Sequence, residues 1–316
     1  MAFFITTASA ATFLLLLHLC VGYPKGSPGW PPMSKCNLIY DHELMAFPLN
    51  LEYLEAEFFL CGAFGYGLDH EARQIAMNGP RPIGCTKANL GQYVLDNIKQ
   101  MAYQEVGHLR AIQGTLQNNT GKPGFPRPQL DLSSSVFANI MDNAFGETLD
   151  PPFNPYQNDI NYLIASYAIP YVGLTGYVGA LPCLWNPTYR KLVGGLLAVE
   201  SGQDAVIREM LYERADQLVK PYRFKVSEFT SKISSLRDNL GGQGVKDEGI
   251  VVDKSQGAEG KIAGNVLAGN ENSVAYDRTP EEILAIVYGS GDVHKPGGFL
   301  PNGGGGAIAE SYLRKH

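Results

Sequence analysis

Residues 105–108 read Glu-Val-Gly-His, and residues 200–203 read Glu-Ser-Gly-Gln. Each tetrapeptide lies in a long segment whose apolar residues recur at helical spacing, about Leu90–Gln117 and about Thr188–Val219. A spacing of three residues places both polar side chains of a tetrapeptide on one face of its helix. Two helices that each present such a pair predict an all-α bundle with a polar site at its centre.

The rest of the chain supplies the other helices of this bundle. In order, the predicted helices are about Asp41–Tyr66, Leu90–Gln117, Ser133–Phe145, Asn158–Leu181, Thr188–Val219, Val226–Leu240 and a short one from Thr279 to about Tyr288. Residues 158–181 are apolar nearly all round, so this helix is expected at the centre, kinked at Pro170. Gly173, Gly176 and Gly179 give it a smooth face that another helix can approach closely.

The domain organisation follows from a change in composition near residue 240. Residues 41–240 are predicted to form the helical bundle. Residues 241–316 are rich in glycine and are predicted to be a coil-rich extension with one short helix and a flexible tail around Gly303–Gly306. Strand signals are sparse throughout.

Composition restricts the function classes. The chain has 316 residues, 45% of them hydrophobic and 18% charged, with a net charge of −6. Such a chain can bury a substantial core and is not a disordered polymer. No cluster of basic residues is present to neutralise phosphates, so we expect no nucleic-acid partner.

The N-terminus reads as a targeting segment. Residues 1–22 contain a short apolar run and are predicted to be a signal peptide, followed by a Pro/Gly-rich linker over 23–40. The alternatives are an uncleaved anchor or a buried first helix. Residues 153–183 come closest to a second membrane span but are interrupted by polar residues, prolines and glycines. We therefore expect the secretory pathway, with an extracellular, apoplastic or vacuolar destination and no membrane span after signal removal.

Two features fit that compartment. Cys36, Cys61, Cys85 and Cys183 remain after signal removal, which permits two disulfides in any of three connectivities. Asn118 begins a glycosylation sequon, Asn-Asn-Thr, in a segment expected to be a polar loop.

The candidate site follows from a known helical template. In ferritin-like carboxylate bundles, two helices each give one Glu and two others each give Glu-x-x-His. Here the first helix offers Glu52 and Glu55, and the second offers Glu105 with His108. The fourth offers Glu200 with Gln203 in the His position, and the third has no carboxylate in its body. The alternative is a solvated helix face, but the apolar neighbours of Glu105 and Glu200 argue for the core.

Longer motifs carry a family resemblance. They are residues 47–59, 104–111, 169–177, 200–205 and 277–282, which together span most of the chain after residue 40. With these motifs the chain resembles the plant desiccation-related proteins, a secreted ferritin-like family. The resemblance implies a four-helix ferritin-like bundle with extra short helices, a secretory location and, as one proposal, manganese-catalase-like removal of peroxide.

The incomplete template leaves three hypotheses for function. In the first, Glu105, His108, Glu200 and Glu52 or Glu55 hold a single Mn or Fe ion that acts on an oxidant in a stress-associated protein. A second ion would lack an imidazole and a third-helix carboxylate. In the second, the pocket needs no cofactor and works as an acid/base isomerase or cyclase on a small apolar carbonyl compound such as a terpenoid aldehyde. The third is a non-enzymatic protective or ligand-binding protein.

The acid/base hypothesis assigns roles to particular side chains. The predicted catalytic residues are Glu105, His108, Glu200 and Tyr171. The predicted substrate-binding residues are Glu52, Glu55, Tyr167, Tyr177 and Gln203, with Tyr53 and Tyr162 as further candidates for the lining. For each tyrosine the alternative is ordinary core packing with one hydrogen bond.

Overall fold

The computed structural model describes residues 39–242 and 244–314. The α-helices in this part of the chain are α1 (Asp41–Ala46), α2 (Leu49–Phe64), α3 (Leu68–Glu71), α4 (Gln92–Thr120), α5 (Ser134–Phe145), α6 (Asp159–Tyr167), α7 (Pro170–Ala180), α8 (Pro187–Tyr212), α9 (Val226–Gly241), α10 (Pro280–Val287) and α11 (Gly306–Leu313). Two 3-10 turns lie at Leu181–Cys183 and Ala258–Gly260. Within residues 39–314 as described, extended pairing is limited to isolated bridges, so the predicted all-α class is confirmed.

Helices α2, α4, α6–α7 and α8 form the bundle that surrounds the candidate site. Almost every residue of α2 is buried, which places this helix at the centre. Pro48 lacks the N–H that a continuous helix needs, so the single helix predicted over 41–66 is divided into α1 and α2. Pro170 divides the third bundle helix in the same way, and α7 begins at the proline.

The third helix is a core element. Asp159–Cys183 is the one stretch among the described residues that is long and apolar enough to cross a membrane, and 83% of its apolar window is buried inside the protein. Its glycines allow the close approach that the sequence predicts. A Cβ added to Gly176 would lie 2.5 Å from Ile283 of α10, and one added to Gly179 would lie 2.4 Å from the Arg278 carbonyl oxygen. The approaching chain is therefore α10 and the residues before it.

The C-terminal extension packs against the bundle. Arg208 of α8 donates to the carbonyls of Asn265 and Val266, and the backbone N–H of Arg278 donates to Thr175 of α7. The sequence predicted one helix here, and the structure contains it as α10 and adds α11. The predicted flexible tail at Gly303–Gly306 is wrong, because Gly303 and Gly304 are buried.

Local details differ from the sequence prediction in two further places. Helix α8 ends at Tyr212 rather than near Val219, because the following residues turn back and pair Leu218 with Lys225. The sequon residue Asn118 is exposed as predicted for a glycan acceptor, but it lies in the last turn of α4 and not in a loop.

One of the open disulfide pairings is now settled. Cys61 of α2 bonds to Cys85, and Cys183 is also disulfide-bonded. Cys36, the predicted signal peptide and nearly all of the predicted linker lie outside the described residues.

Candidate metal centre

Polar side chains from four helices meet inside the bundle. Helix α2 contributes Glu52 and Glu55, α4 contributes Glu105 and His108, α7 contributes Tyr177, and α8 contributes Glu200 and Gln203. The i,i+3 spacing places both side chains of the α4 pair, and both of the α8 pair, on the inward face of their helix. All seven residues are buried.

His108 is the centre of the cluster. Its Nδ1 atom lies 3.2 Å from Glu52 Oε2, 3.2 Å from Glu105 Oε2 and 3.2 Å from Glu200 Oε1. One ligand atom from each of these four residues lies within 4.8 Å of all the others. An ion bound at about 2.1 Å places neighbouring donor atoms about 3.0 Å apart in octahedral and about 3.4 Å apart in tetrahedral geometry. The three nitrogen–oxygen distances of 3.2 Å lie between these two values, so these four residues could hold one metal ion.

The hydrogen bonds leave several oxygens unpaired. A neutral or protonated imidazole carries at most one proton on Nδ1, and its hydrogen bond is to Glu105 Oε2. Five buried atoms of this cluster have no hydrogen-bond partner among the described residues: Glu52 Oε2, Glu55 Oε2, Glu200 Oε1, Glu200 Oε2 and Gln203 Oε1. Buried oxygens of this kind are costly unless a proton or a cation satisfies them.

The pKa shifts of these residues also indicate that the cluster needs additional positive charge. Burial, reinforced by the neighbouring carboxylates, raises the pKa of Glu55 and of Glu105 well above the usual range. Burial also raises the pKa of Glu200 to about 7, although the nearby His108 imidazole opposes the rise. Burial would lower the pKa of His108, but the Glu52 charge and the neighbouring Glu105 and Glu200 carboxylates raise it above its usual value. Four carboxylates around one imidazole thus need further positive charge, as protons or as metal.

Two further side chains orient the carboxylates. Gln203 Nε2 donates to Glu105 Oε1 at 2.6 Å and to Gln104 Oε1 at 3.0 Å. The Tyr177 hydroxyl donates to Glu52 Oε1. The third helix therefore contributes a phenol where the template has a carboxylate. Sequence reasoning missed Gln104, because an exposed amide next to the Glu-x-x-His pair has no distinctive pattern.

Glu55 of α2 adds a fourth carboxylate next to α7 of the third helix, which has no carboxylate of its own. A Cβ added to Gly173 of α7 would lie 3.0 Å from Glu55 Oε1. The absence of a side chain at Gly173 thus makes room for the second carboxylate of α2 next to the third helix. The site holds four carboxylates, the number in the template, but one imidazole instead of two.

The remaining predicted site residues lie elsewhere. Tyr167 bonds to Ser234 and to the Glu248 carbonyl, and Tyr171 lies against Arg208, Arg237 and Arg278. Both tyrosines therefore belong to a second buried cluster, of arginines with Asp204 and Asp247. Tyr53 and Tyr162 donate to backbone carbonyls of Ile75 and Phe58, as core tyrosines do.

The fold and this site define a class of protein, and comparison with known proteins agrees. Residues 40–213 match the family model described as ferritin-like domain, which is more than half of the chain. The chain is 58% identical to "Desiccation-related protein PCC13-62" of Craterostigma plantagineum over 83% of this chain and 82% of that protein. It belongs to the ferritin-like desiccation-related proteins, which confirms the family resemblance.

A second relative carries an activity in its name. The chain is 50% identical to "Ferritin-like catalase Nec2" of Nesocodon mauritianus over 99% of this chain and 100% of that protein. No solved structure matches the chain.

Proposed function

We propose that this protein is a ferritin-like metalloprotein that holds one divalent Mn or Fe ion tightly and acts on a small oxidant such as hydrogen peroxide. The observation that carries the proposal is the position of three carboxylate oxygens, each 3.2 Å from His108 Nδ1, two of them without a hydrogen-bond partner among the described residues. The relative named as a ferritin-like catalase supports the substrate class.

The ligand set fits such an ion. Glu52, Glu105, Glu200 and His108 supply three oxygens and one imidazole nitrogen, which suit Mn²⁺ or Fe²⁺. When bound, the ion supplies Lewis acidity and one-electron chemistry. Tyr177 orients Glu52, and its phenol can pass a proton to or from that carboxylate.

A second ion is held less well. After the first set is used, the unpaired atoms are Glu55 Oε2, Glu200 Oε2 and Gln203 Oε1. This set contains an amide oxygen in place of an imidazole, and the same amide donates its hydrogen to Glu105 Oε1. We therefore propose one tight site rather than a closely coupled pair.

Metal analysis of the purified protein tests the proposal. After growth with added Mn and Fe, we expect about one ion per chain in the wild type, and less than about a tenth of that in His108→Ala and in Glu200→Gln. Glu209→Gln on the exposed side of α8 is the matched control and should keep the ion. Peroxide consumption should follow the metal content. A wild-type protein that contains no transition metal and consumes peroxide no faster than His108→Ala would refute the proposal.

A second candidate is cofactor-independent acid/base catalysis by an isomerase or cyclase acting on a small carbonyl compound such as a terpenoid aldehyde. The observation in its favour is the pKa of Glu200, about 7, which suits proton transfer near neutrality. Glu105 and His108 would move protons, and Tyr177 lies within reach of the same carboxylates. Turnover of an enolisable aldehyde that persists in chelator and is lost in His108→Ala would favour this candidate. Turnover equal in both proteins would eliminate it.

We also propose a place in the secretory pathway, supported by the apolar segment within residues 1–22 and the cystines. Asn118 is exposed and accessible to a glycan. Protein purified from a plant host should lose mass on endoglycosidase treatment, and Asn118→Gln should not. Retention of the N-terminal segment with no glycan would contradict this location.

A further inference from the structure

The carboxylate site comes nearest to solvent between α4 and α8. His108 is 8% exposed, whereas Glu105 and Glu200 on the same two helices are 0% and 1% exposed. Gln104 lies four residues before His108, so these two side chains lie in one row on α4, and Gln104 is exposed. The row from Gln104 to His108 is therefore the edge at which the buried cluster approaches water.

Two amide side chains bridge this edge. Gln104 Oε1 accepts a hydrogen bond from Gln203 Nε2 at 3.0 Å, and the same nitrogen donates to Glu105 Oε1 at 2.6 Å. Gln104 belongs to α4 and Gln203 belongs to α8, so their hydrogen bond joins the two helices. Because Gln203 is buried and Gln104 is exposed, the bridge leads from the surface directly to a site carboxylate.

The neighbouring glycine leaves Gln104 room to move. Gly107 lies three residues after Gln104, at a position whose side chain would contact it on the helix surface. A Cβ added to Gly107 would meet nothing within 4 Å. Glycine destabilises a helix interior, and no packing contact requires it here. Gln104 can therefore swing outward by breaking its hydrogen bond to Gln203, without disturbing the core.

The surroundings of the bridge are uncharged. Val199 and Val206 lie four residues before and three residues after Gln203, so they share its side of α8, and each is 38% exposed. Together with Gln104 and Gly107 they form a rim of apolar and amide groups. An ion that passes such a rim loses more favourable hydration than an uncharged molecule does. The rim therefore favours a small uncharged substrate.

We propose that Gln104 controls entry to the carboxylate site. With its hydrogen bond to Gln203 made, the side chain closes the opening between α4 and α8. When it swings outward, the opening admits a small uncharged oxidant such as hydrogen peroxide and excludes bulky organic hydroperoxides. This inference rests on the proposed function of the carboxylate site, and it gives Gln104 a role in substrate selection by size and none in the chemistry.

Hydrogen–deuterium exchange at the C2 carbon of His108 tests the closure without metal or activity. Mass spectrometry of the full chain in chelator, at one pH, measures how often water reaches this ring. We expect exchange about tenfold faster in Gln104→Ala and in Gln104→Leu, which keeps the bulk but not the acceptor, since a hydrogen bond of about 1.4 kcal/mol corresponds to a factor of ten. Gln100→Ala is the matched control and should exchange as the wild type does, because the Gln100 amide bonds to the Asp96 carbonyl of its own helix.

Peroxide selectivity of the metal-loaded protein is the second measurement. The rate with tert-butyl hydroperoxide relative to that with hydrogen peroxide should rise about tenfold in Gln104→Ala and stay unchanged in Gln100→Ala. Equal His108 exchange in wild type and Gln104→Ala, exchange in Gln104→Leu as slow as in the wild type, or an unchanged peroxide ratio would overturn the proposal. A wild type without metal would instead refute the proposed function, and the exchange measurement would still decide the role of Gln104.

Discussion

At the scale of residues, the single proton that His108 Nδ1 can carry limits how many carboxylate oxygens of the site are paired. His108 Nδ1 faces three carboxylates but can donate one hydrogen bond, so the surplus oxygens remain unpaired in a buried place. A divalent ion would neutralise two of the four carboxylate charges and leave Glu55 to hold a proton. Protons and metal therefore compete for the same oxygens.

This competition predicts a pH dependence of stability in metal-free protein. The pKa of Glu200 is about 7 in the folded state against 4.5 in the reference state, so the folded protein binds more protons than the unfolded protein between these values. Stability is then greatest below about pH 4.5 as far as this group is concerned, and it falls as the pH rises through about 7, by an amount on the order of a few kcal/mol.

Thermal unfolding in chelator between pH 5 and pH 8 measures the effect. The Tm should fall across this range in wild type and in Glu209→Gln, and the fall should be smaller in Glu200→Gln. Saturating Mn²⁺ should raise the Tm more at pH 8 than at pH 5. A Tm in chelator that rises with pH would contradict the assignment.

A single substitution should complete the metal template. The site has four carboxylates but one imidazole, so Gln203→His supplies the missing ligand type and removes the amide that donates to Glu105. We expect the metal content to rise from about one to about two ions per chain. Elemental analysis and the magnetic coupling of two Mn²⁺ ions would detect the change. Gln117→His adds an imidazole on the surface and should leave the content at one, whereas no gain in Gln203→His would argue that Glu55 is not a ligand.

At the scale of elements, three glycines of the third bundle helix allow other parts of the chain to pack closely against it. Gly173 makes room for Glu55, Gly176 for Ile283, and Gly179 for the backbone at Arg278. Glycine in a helix interior costs about 0.5–1 kcal/mol relative to alanine, and here the cost is offset by close packing. The same helix therefore positions a site carboxylate and anchors α10.

Two glycine-to-alanine substitutions should have opposite effects. Gly179→Ala places a methyl group 2.4 Å from a carbonyl oxygen, so we expect a loss of about 1–3 kcal/mol in the free energy of unfolding. Gly195→Ala on α8 meets nothing within 4 Å and should stabilise the protein by about 0.5–1 kcal/mol. Urea unfolding measures both, and equal effects of the two substitutions would show that the face of α7 is not tightly packed.

At the scale of the whole molecule, the C-terminal extension is part of the folded core. Phe299, Leu300 and Ile308 are buried, and the N–H of Gly304 donates to the Tyr288 hydroxyl. Gly305 bonds with the Asn50 side chain at the start of α2. The extension thus stabilises the helix that carries Glu52 and Glu55.

Two leucines of the extension test this integration. Leu300 is 0% exposed and Leu267 is 75% exposed. We expect Leu300→Ala to lower the free energy of unfolding by about 2–5 kcal/mol and Leu267→Ala to change it by less than about 0.5 kcal/mol. Unfolding followed by circular dichroism in urea makes the comparison. A small effect at Leu300 would mean that the extension unfolds separately from the bundle.

The sequence by itself determined the helices and the ligand types that each bundle helix carries. Apolar periodicity, prolines and the i,i+3 pairs at Glu105 and Glu200 are local signals, so they were readable without the fold. Pro170 predicted a kink at the position where the third bundle helix is divided, whereas the division at Pro48 interrupts a segment predicted as one helix.

Only the tertiary structure decided which side chains face the site. Helix α7 is apolar nearly all round, so its sequence does not specify its rotation, and Tyr177 rather than Tyr171 meets the carboxylates. The use of Glu55 beside Gly173 and the burial of Gly303–Gly304 depend on contacts between residues distant in the chain. Local propensity does not encode such contacts, because they arise only when the elements pack.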